Sequence, residues 1–201
     1  VSAYKIASFE MTDLPLVKYV AQTGKPMIIS TGMANLEEIS ETVEIAKENG
    51  CQDMILLHCI SSYPAPVEQS NLKTIPDLAK KFGVLSGLSD HTIGTTVSMT
   101  SVALGACMIE KHFTDDNFRD GPDHLFSMNP ESWSEMVTRT RELEASLGSG
   151  IKIVEDNEGE TVVLQRRALC AKRPLKSGEV LSQDNIFPLR PIPSDGIPPY
   201  K

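Results

Sequence analysis

The 201-residue sequence has no apolar run approaching the roughly 20 residues of a membrane-spanning helix, and its first residues lack the pattern of a signal peptide. It also lacks an excess of basic residues, since the net charge is −8 at pH 7. Because phosphate backbones are bound by a basic field, this charge argues against nucleic acid as a partner. A small anionic substrate is compatible with it, because a few local cations suffice to bind one.

The cysteines and glycines also lack two familiar patterns. The four cysteines have no CxxC spacing, and three lie in or beside apolar runs, so we expect buried, reduced thiols in a cytoplasmic protein. They are Cys51, Cys59, Cys107 and Cys170. No glycine-rich fingerprint follows any predicted strand, which argues against the dinucleotide crevice of a doubly wound open sheet.

Five short apolar runs recur at intervals of about 20 to 30 residues, and amphipathic helical stretches fill the gaps between them. The runs cover 3–7, 27–30, 54–58, 84–88 and 107–111. One helix is predicted to begin after Asn35, with Glu38 in the capping-box position and Gly50 at its end. Another is predicted to begin at Asn129, with Pro130 in its first turn.

The alternation of strands and helices predicts an α/β fold with a parallel sheet covered by helices. Five βα units do not close a barrel, whereas eight do. Because polar residues gather at the carboxyl end of all five predicted strands, we expect the C-terminal part of a (β/α)8 TIM barrel, with about three units upstream. A doubly wound open sheet is the competing architecture.

We expect the chain to be a fragment that contains parts of two domains. It does not begin with Met, and its first residues already have the pattern of a strand. The barrel part is expected to cover 1–150, followed by an acidic, polar linker over 151–162. In the remaining segment, 163–201, short strands are predicted at 166–172 and 178–181. The tail, 189–199, is too rich in proline for a helix or a central strand, and we expect this second module to be incomplete as well.

Two histidines follow consecutive predicted strands, at the points where apolar residues give way to polar ones. His91 follows Asp90 in one strand, and His112 closely follows Glu110 in the next. The carboxyl ends of neighbouring parallel strands lie side by side, and barrel enzymes keep their chemistry there. Two neutral imidazoles with nearby carboxylates can hold a divalent metal and leave positions open for a substrate. The alternative is that one or both are ordinary strand-end histidines.

Lys5 interrupts the first apolar run, and Ser8 and Glu10 follow it. A buried lysine is rare unless paired, so its amine either snorkels outward or points into the barrel. An inward amine could hold a phosphate or carboxylate, or form a Schiff base with a carbonyl substrate. Strict alternation puts Lys5 and Ser8 on opposite faces, so Ser8 reaches the site only if the strand ends before it.

Six short segments at or after the predicted strands form a recognisable set. They are Tyr4-Lys5-Ile6-Ala7-Ser8-Phe9-Glu10, Ser30-Thr31-Gly32-Met33, His58-Cys59-Ile60-Ser61-Ser62-Tyr63-Pro64, Gly87-Leu88-Ser89-Asp90-His91-Thr92, Glu110-Lys111-His112-Phe113-Thr114 and Gly121-Pro122-Asp123. In this order they resemble the sialic acid synthase family, which comprises N-acetylneuraminate, legionaminic acid and pseudaminic acid synthases. The resemblance extends over essentially the whole chain.

The resemblance implies a (β/α)8 barrel followed by a small, β-rich antifreeze-like (SAF) domain, of which 163–201 would be the first part. It also implies a reaction. Phosphoenolpyruvate condenses with an open-chain N-acetylated hexosamine, such as N-acetylmannosamine, to give a nine-carbon 2-keto acid and inorganic phosphate.

The resemblance further implies roles for individual residues. His91 and His112 match two ligands of Mn²⁺ or another divalent cation, such as Mg²⁺ or Co²⁺. Glu110 and Asp123 match catalytic, acceptor-side residues, and Glu110 is expected to take a proton from the water that adds to the pyruvyl unit. The residues that match phosphoenolpyruvate ligands are Lys5, Ser8, Ser30, Ser61 and Ser89. This match favours anion binding over a Schiff base at the lysine.

The acceptor side carries the remaining implications. Tyr63 and Arg190 match residues that contact the acceptor sugar, and the arginine is expected to reach into the partner subunit's barrel in a domain-swapped homodimer. Ser61 departs from the pattern, because sialic acid synthases proper often carry asparagine there. The sequence therefore leaves open which N-acetylated sugar is used and which glycan receives the product.

Two alternatives remain. One is another divalent-metal-dependent TIM-barrel enzyme, an aldolase or isomerase that uses the same two histidines, and the other is a non-catalytic fragment. We expect the whole protein to be a cytoplasmic enzyme with no nucleic-acid or membrane partner. This chain alone is expected to be inactive, because a partial barrel exposes unpaired strand edges. Thiol catalysis by Cys59 is disfavoured, since no activating base lies at a recognisable spacing.

Overall fold

Five short strands run parallel in one sheet, in the order in which they occur in the chain. The computed structural model describes residues 1–200 and divides them into two units, one from Val1 to Gly148 and one beginning at Ser149. The sheet belongs to the first unit. Its strands are β1 (Tyr4–Ile6), β2 (Met27–Ser30), β3 (Met54–Cys59), β4 (Leu85–Asp90) and β5 (Ile109–Lys111). Its helices are α1 (Leu14–Ala21), α2 (Leu36–Glu48), α3 (Thr74–Phe82), α4 (Thr96–Ala103) and α5 (Pro130–Leu147).

The two helix starts predicted from the sequence are confirmed. The Asn35 side chain accepts hydrogen bonds from the amides of Glu37 and Glu38 at 2.9 and 3.0 Å, and the Glu38 carboxylate accepts one from the Asn35 amide at 2.8 Å. Asn129 caps α5 in the same reciprocal way with Ser132. These bonds satisfy amides that the first turn of a helix leaves without partners.

The sheet is curled rather than flat. The amine of Lys5 in β1 lies 3.5 Å from the carboxylate of Glu110 in β5. In a flat sheet the first and fifth strands would be about 19 Å apart, beyond the combined reach of these two side chains. The curl gives the sheet a concave inner face and a convex outer face covered by the helices, which is the arrangement expected for part of a barrel.

The hydrophobic core lies between the outer face and the helices. Ile6, Ile29 and Leu56 are register partners on the first three strands, and all are buried. They belong to one apolar cluster with Val17 of α1 and Val43 of α2. The core therefore covers the outer face of the sheet.

The second unit contains α6 (Gly159–Gln165), β6 (Ala168–Ala171) and β7 (Ile186–Leu189), and its two strands pair antiparallel. The prediction of a strand at 178–181 is wrong. Gly178 adopts a φ of +83°, and the carboxylate of Glu179 accepts a hydrogen bond from the Lys176 amide across a turn. The predicted linker, 151–162, contains a 3₁₀ turn and the first part of α6. In residues 1–200, no helix is both long and apolar enough to cross a membrane.

Candidate active site

The inner face of the sheet carries a polar or thiol side chain from each of the five strands. Register partners on parallel strands point to the same side, and so do residues two positions apart. Ser30 is partnered with Leu57, Cys59 with Ser89, and Ser89 with Glu110, which places their side chains on one face. By the same rule Lys5 lies on this face. Of the two orientations considered for its amine, the structure therefore shows the one that points into the barrel.

Lys5, Ser89 and Glu110 form a hydrogen-bonded corner of this face. The Ser89 hydroxyl donates to Glu110 Oε1 at 2.8 Å, and Lys5 Nζ lies 3.5 Å from the same oxygen. The Lys5 amine also donates to the Ile6 carbonyl at 3.2 Å. The Lys5 ammonium and the Ser89 hydroxyl are groups that can bind a small anion, whereas the Glu110 carboxylate would repel one.

Ser8 reaches the inner face because β1 ends at Ile6. Strict strand alternation up to Ser8 would have placed its side chain on the outer face. It is buried, and its hydroxyl donates to Cys59 Sγ at 3.5 Å. Ser61 Oγ lies 4.0 Å from the same sulfur. A side chain at Gly32, where φ is +27°, would place Cβ 2.4 Å from Ser8 Oγ and 2.5 Å from Ser61 Oγ. The absence of a side chain at Gly32 therefore makes room for both hydroxyls.

The hydroxyl of Ser30 is buried and has no hydrogen-bond partner among the described residues. A buried hydroxyl without a partner carries a desolvation cost of about 1–3 kcal/mol, so such groups are usually satisfied. An anionic ligand oxygen at the inner face would supply the missing partner.

His91 and His112 lie side by side at the ends of β4 and β5, with ring centroids 5.3 Å apart. The His91 Nδ1 atom is 2.8 Å from the Ile60 carbonyl, which only an N–H can satisfy. This fixes the tautomer and leaves Nε2 with its lone pair. Histidines that ligate metals commonly donate their other ring nitrogen to a carbonyl or carboxylate in the same way.

His112 has the corresponding arrangement with a carboxylate. Its Nδ1 atom lies 3.5 Å from Asp123 Oδ2. Among residues 1–200, no group of three or more His, Cys, Asp or Glu side chains is arranged to hold a metal ion. Two neutral imidazoles that face one another could hold a divalent ion and leave its other positions to water and substrate.

Two aromatic rings border the histidines. The Tyr63 ring lies 4.2 Å from that of His91 and 5.7 Å from that of His112, measured between centroids. The buried Phe126 lies 5.1 Å from His112. Burial, and then the nearby thiol and carboxylates, raise the pKa of the Tyr63 phenol, so its O–H is a hydrogen-bond donor at neutral pH.

The thiol and imidazoles at the centre of the site influence one another's ionisation. Burial opposes ionisation of Cys59, but hydrogen bonds with His91 and Ser8 outweigh it and lower the pKa of the thiol. Burial likewise opposes protonation of His91, but the bonds to Cys59 and to the Ile60 carbonyl raise its pKa. The pKa of His112 is lowered, mainly by burial and then by the neighbouring His91. The spacing of the two residues in the sequence did not reveal this contact between Cys59 and His91.

The comparison with known families decides the family of the chain. The model of the NeuB family matches residues 1–152. The chain belongs to the NeuB family. An uncharacterized protein of Methanocaldococcus jannaschii is 52% identical over 191 residues, which are 95% of this chain and 57% of that protein. The N,N'-diacetyllegionaminic acid synthase of Campylobacter jejuni is 43% identical over 190 residues, 94% of this chain and 57% of that enzyme.

A solved structure supports the same relationship. The N-acetylneuraminic acid (sialic acid) synthetase of Leptospira borgpetersenii, in complex with citrate, aligns with a TM-score of 0.74 and 36% identity. The alignment covers 81% of this chain and 56% of that one. The expected family and the partial barrel are confirmed, and this NeuB-family chain spans about 57% of the length of the curated relatives it matches.

The other two histidines make contacts outside this cluster. His58 is on the opposite parity to Cys59, and its Nε2 is 2.7 Å from the Ser70 carbonyl. His124 bonds to Thr114 Oγ1 at 2.7 Å. Arg190 belongs to the second unit, where it is exposed and donates to Gln165 Oε1 at 2.7 Å.

Sequence reasoning missed three contributors to the site of this NeuB-family chain. Gly32 lies in one of the six segments that carry the family resemblance, but no local pattern showed that a Cβ at this position would meet Ser8 and Ser61. The Ile60 carbonyl is a backbone group, which no residue type indicates. Phe126 lies in an irregular loop without periodicity.

Proposed function

We propose that the whole protein containing this chain is a nonulosonic (sialic) acid synthase. It would condense phosphoenolpyruvate with an N-acetylated hexosamine, such as N-acetylmannosamine, to give a nine-carbon 2-keto acid and phosphate. The observation that carries the proposal is the pair formed by His91 and His112, each with Nδ1 against an oxygen, beside an inner face that bears Lys5. Relatives named as legionaminic and N-acetylneuraminic acid synthases support it.

The anionic substrate would bind at the inner face. Lys5 would hold its phosphate or carboxylate, joined by the Ser89 hydroxyl, which would turn from Glu110 to the substrate. The buried Ser30 hydroxyl would donate to the same anion. Ser8 and Ser61, which flank Gly32, would complete this binding surface. Several modest polar contacts suit a reaction in which positioning two substrates and a water supplies much of the rate.

The acceptor sugar would lie toward the histidines, Tyr63 and Asp123. The proposed reaction forms a bond between the enol carbon of phosphoenolpyruvate and C1 of the sugar. Water then adds to C2 of the pyruvyl unit, and the C–O bond between that carbon and the phosphate breaks. Glu110, which accepts the Ser89 hydroxyl before the substrate binds, would take the proton from that water. A divalent cation such as Mn²⁺ on His91 and His112 would act as a Lewis acid toward the sugar's aldehyde oxygen.

The test is phosphate release from phosphoenolpyruvate by the whole protein with Mn²⁺. N-acetylmannosamine and 6-deoxy diacetamido sugars are offered in turn, with His91→Ala as the test variant and His58→Gln as the control. The control removes an imidazole from the outer face of the same sheet. We expect release that requires a sugar and His91 but not His58, in proteins whose circular dichroism spectra coincide.

Two outcomes would contradict the proposal. Release without any sugar would show a phosphatase. The absence of release with every sugar, by a folded protein that still binds Mn²⁺, would favour the alternative of a metal-dependent aldolase or isomerase.

We also propose that the second unit begins an SAF domain and that Arg190 completes the partner's site in a domain-swapped homodimer. The short antiparallel pair of β6 and β7, and the exposed guanidinium of Arg190, support this assignment. The four unpaired cysteines support a reducing, cytoplasmic location.

A further inference from the structure

A buried ion pair lies directly behind the two histidines. Lys111 Nζ and Asp90 Oδ2 are 2.8 Å apart, and their side chains are 2% and 1% exposed. Each residue immediately precedes one of the histidines. By the alternation of the strands, these two side chains occupy the outer face, whereas His91 and His112 project from the inner one.

Asp90 is fully engaged in this position. Its Oδ1 accepts hydrogen bonds from the amide and the hydroxyl of Thr92, both at 2.8 Å. Its Oδ2 accepts the Ser98 hydroxyl of α4 at 2.5 Å in addition to Lys111. Lys111 Nζ also donates to the Thr92 carbonyl at 2.6 Å. The pair therefore ties together the end of β4, the following turn, the start of α4 and the end of β5.

The backbone ladder between β4 and β5 ends at this same place. Asp90 and Lys111 are the last register partners of the two strands. Beyond them the backbones diverge, because the His91 carbonyl accepts the Ala65 amide and the His112 carbonyl accepts the Met128 amide, each at 2.9 Å. The ion pair is thus the last direct link between the strands before the imidazoles.

We infer that the Asp90–Lys111 ion pair is a positioning device that sets the spacing of His91 and His112 for a shared ligand. Replacing a buried ion pair by apolar groups often leaves stability unchanged or higher, so stability alone is a weak reason for one. The directional hydrogen bonds of Asp90 and Lys111 instead specify one arrangement of the ends of β4 and β5. Because the pair lies behind the sheet, it leaves the inner face open. This inference rests on the proposed function, in which the shared ligand is a divalent cation.

The test compares the whole wild-type protein with D90N/K111M, which removes both charges at nearly constant volume. D77N/K81M is the matched control, because it makes the same substitutions in an exposed pair on α3, where Lys81 Nζ and Asp77 Oδ2 are 2.7 Å apart. Three quantities are measured: the thermal midpoint, the Mn²⁺ dissociation constant from the free-ion EPR signal, and the imidazole ¹⁵N shifts of the metal-free protein.

We expect D90N/K111M to fold with a thermal midpoint near that of the wild type, but to bind Mn²⁺ about 10- to 100-fold more weakly, the usual range for changes behind metal ligands. The His91 and His112 ¹⁵N signals should shift or broaden without metal. D77N/K81M should match the wild type in all three measurements. A folded D90N/K111M with unchanged Mn²⁺ affinity and unchanged imidazole signals would overturn the inference.

A second variant covers the case in which the double variant does not fold. Lys111→Met breaks the ion pair itself while Asp90 keeps its bonds to Thr92 and Ser98, and we expect it to weaken Mn²⁺ binding at least about tenfold and to alter the His91 and His112 signals. Unchanged values in this variant would overturn the inference. If the wild type itself binds no Mn²⁺, the proposed metal site fails. The imidazole signals then decide separately whether the ion pair positions the rings.

Discussion

Gly32 shows at the scale of a single residue how an absent side chain shapes the site. Gly32→Ala would strain a left-handed backbone and push Cβ against Ser8 and Ser61. We expect kcat/KM for phosphoenolpyruvate to fall at least about tenfold, since small misplacements of binding groups carry large kinetic penalties, while Mn²⁺ affinity changes little. Steady-state kinetics and Mn²⁺ titration measure the two effects.

Gly24→Ala is the matched control for this prediction. Gly24 has a φ of +66°, so the variant introduces the same kind of backbone strain, but its Cβ would meet no atom within 4 Å. Equal losses of kcat/KM in both variants would show that strain, rather than the close approach to the serines, explains the effect.

His58 gives a pH-dependent prediction. Burial lowers its pKa from the ordinary value of 6.5, so the folded protein binds this proton less well than the unfolded chain. Stability from this group is therefore complete above pH 6.5 and declines as the pH falls below it. We expect the free energy of unfolding to fall by up to about 1.4 kcal/mol per pH unit more in the wild type than in His58→Gln.

Denaturant titrations at several pH values between 5 and 8 measure this difference. His91 and His112 titrate in both proteins, so their contributions cancel in the comparison. Parallel stability profiles for the two proteins would show that His58 does not carry the effect.

At the scale of single elements, the capping of α2 is the most local source of stability. Asn35→Ala removes the side-chain acceptor for the amides of Glu37 and Glu38. We expect a loss of about 1 kcal/mol in the free energy of unfolding, whereas Asn35→Ser should stay close to the wild type. Urea denaturation followed by circular dichroism measures both. Equal losses in the two variants would contradict a capping role.

The elements also show how far sequence reasoning extends. The five strands were located to within a few residues, because apolar runs and their boundaries are local features. The predicted position of the strand that pairs with β6 was wrong. A turn occupies Gly178 and Glu179, and the second strand lies at 186–189. A Pro-containing strand is tolerated in this two-stranded sheet, where each strand keeps an edge.

At the scale of the whole molecule, the proposed domain swap predicts complementation between two inactive subunits. His91→Ala damages the barrel of its own subunit, whereas Arg190→Ala would damage the site of its partner. Mixed dimers should therefore contain one intact site. We expect unfolding and refolding the two variants together to restore about a quarter of wild-type phosphate release, because random pairing makes half the dimers mixed and each has one of two sites.

Two controls accompany the mixing experiment. Each variant refolded alone should remain inactive, and light scattering should show dimers throughout. Recovery at the level of the separate variants would show that His91 and Arg190 act in the same subunit's site, which would contradict the swap.

Residues a few positions apart were enough to predict the helix caps and the strand positions, because caps and apolar runs are local features. The folded chain was needed to show on which side of the sheet Lys5 lies and how the sheet curls to bring it to Glu110. It was also needed to show that the Ile60 carbonyl orients His91 and that Asp90 pairs with Lys111. These contacts join residues 21 or more positions apart, or involve backbone groups, and no local pattern encodes them.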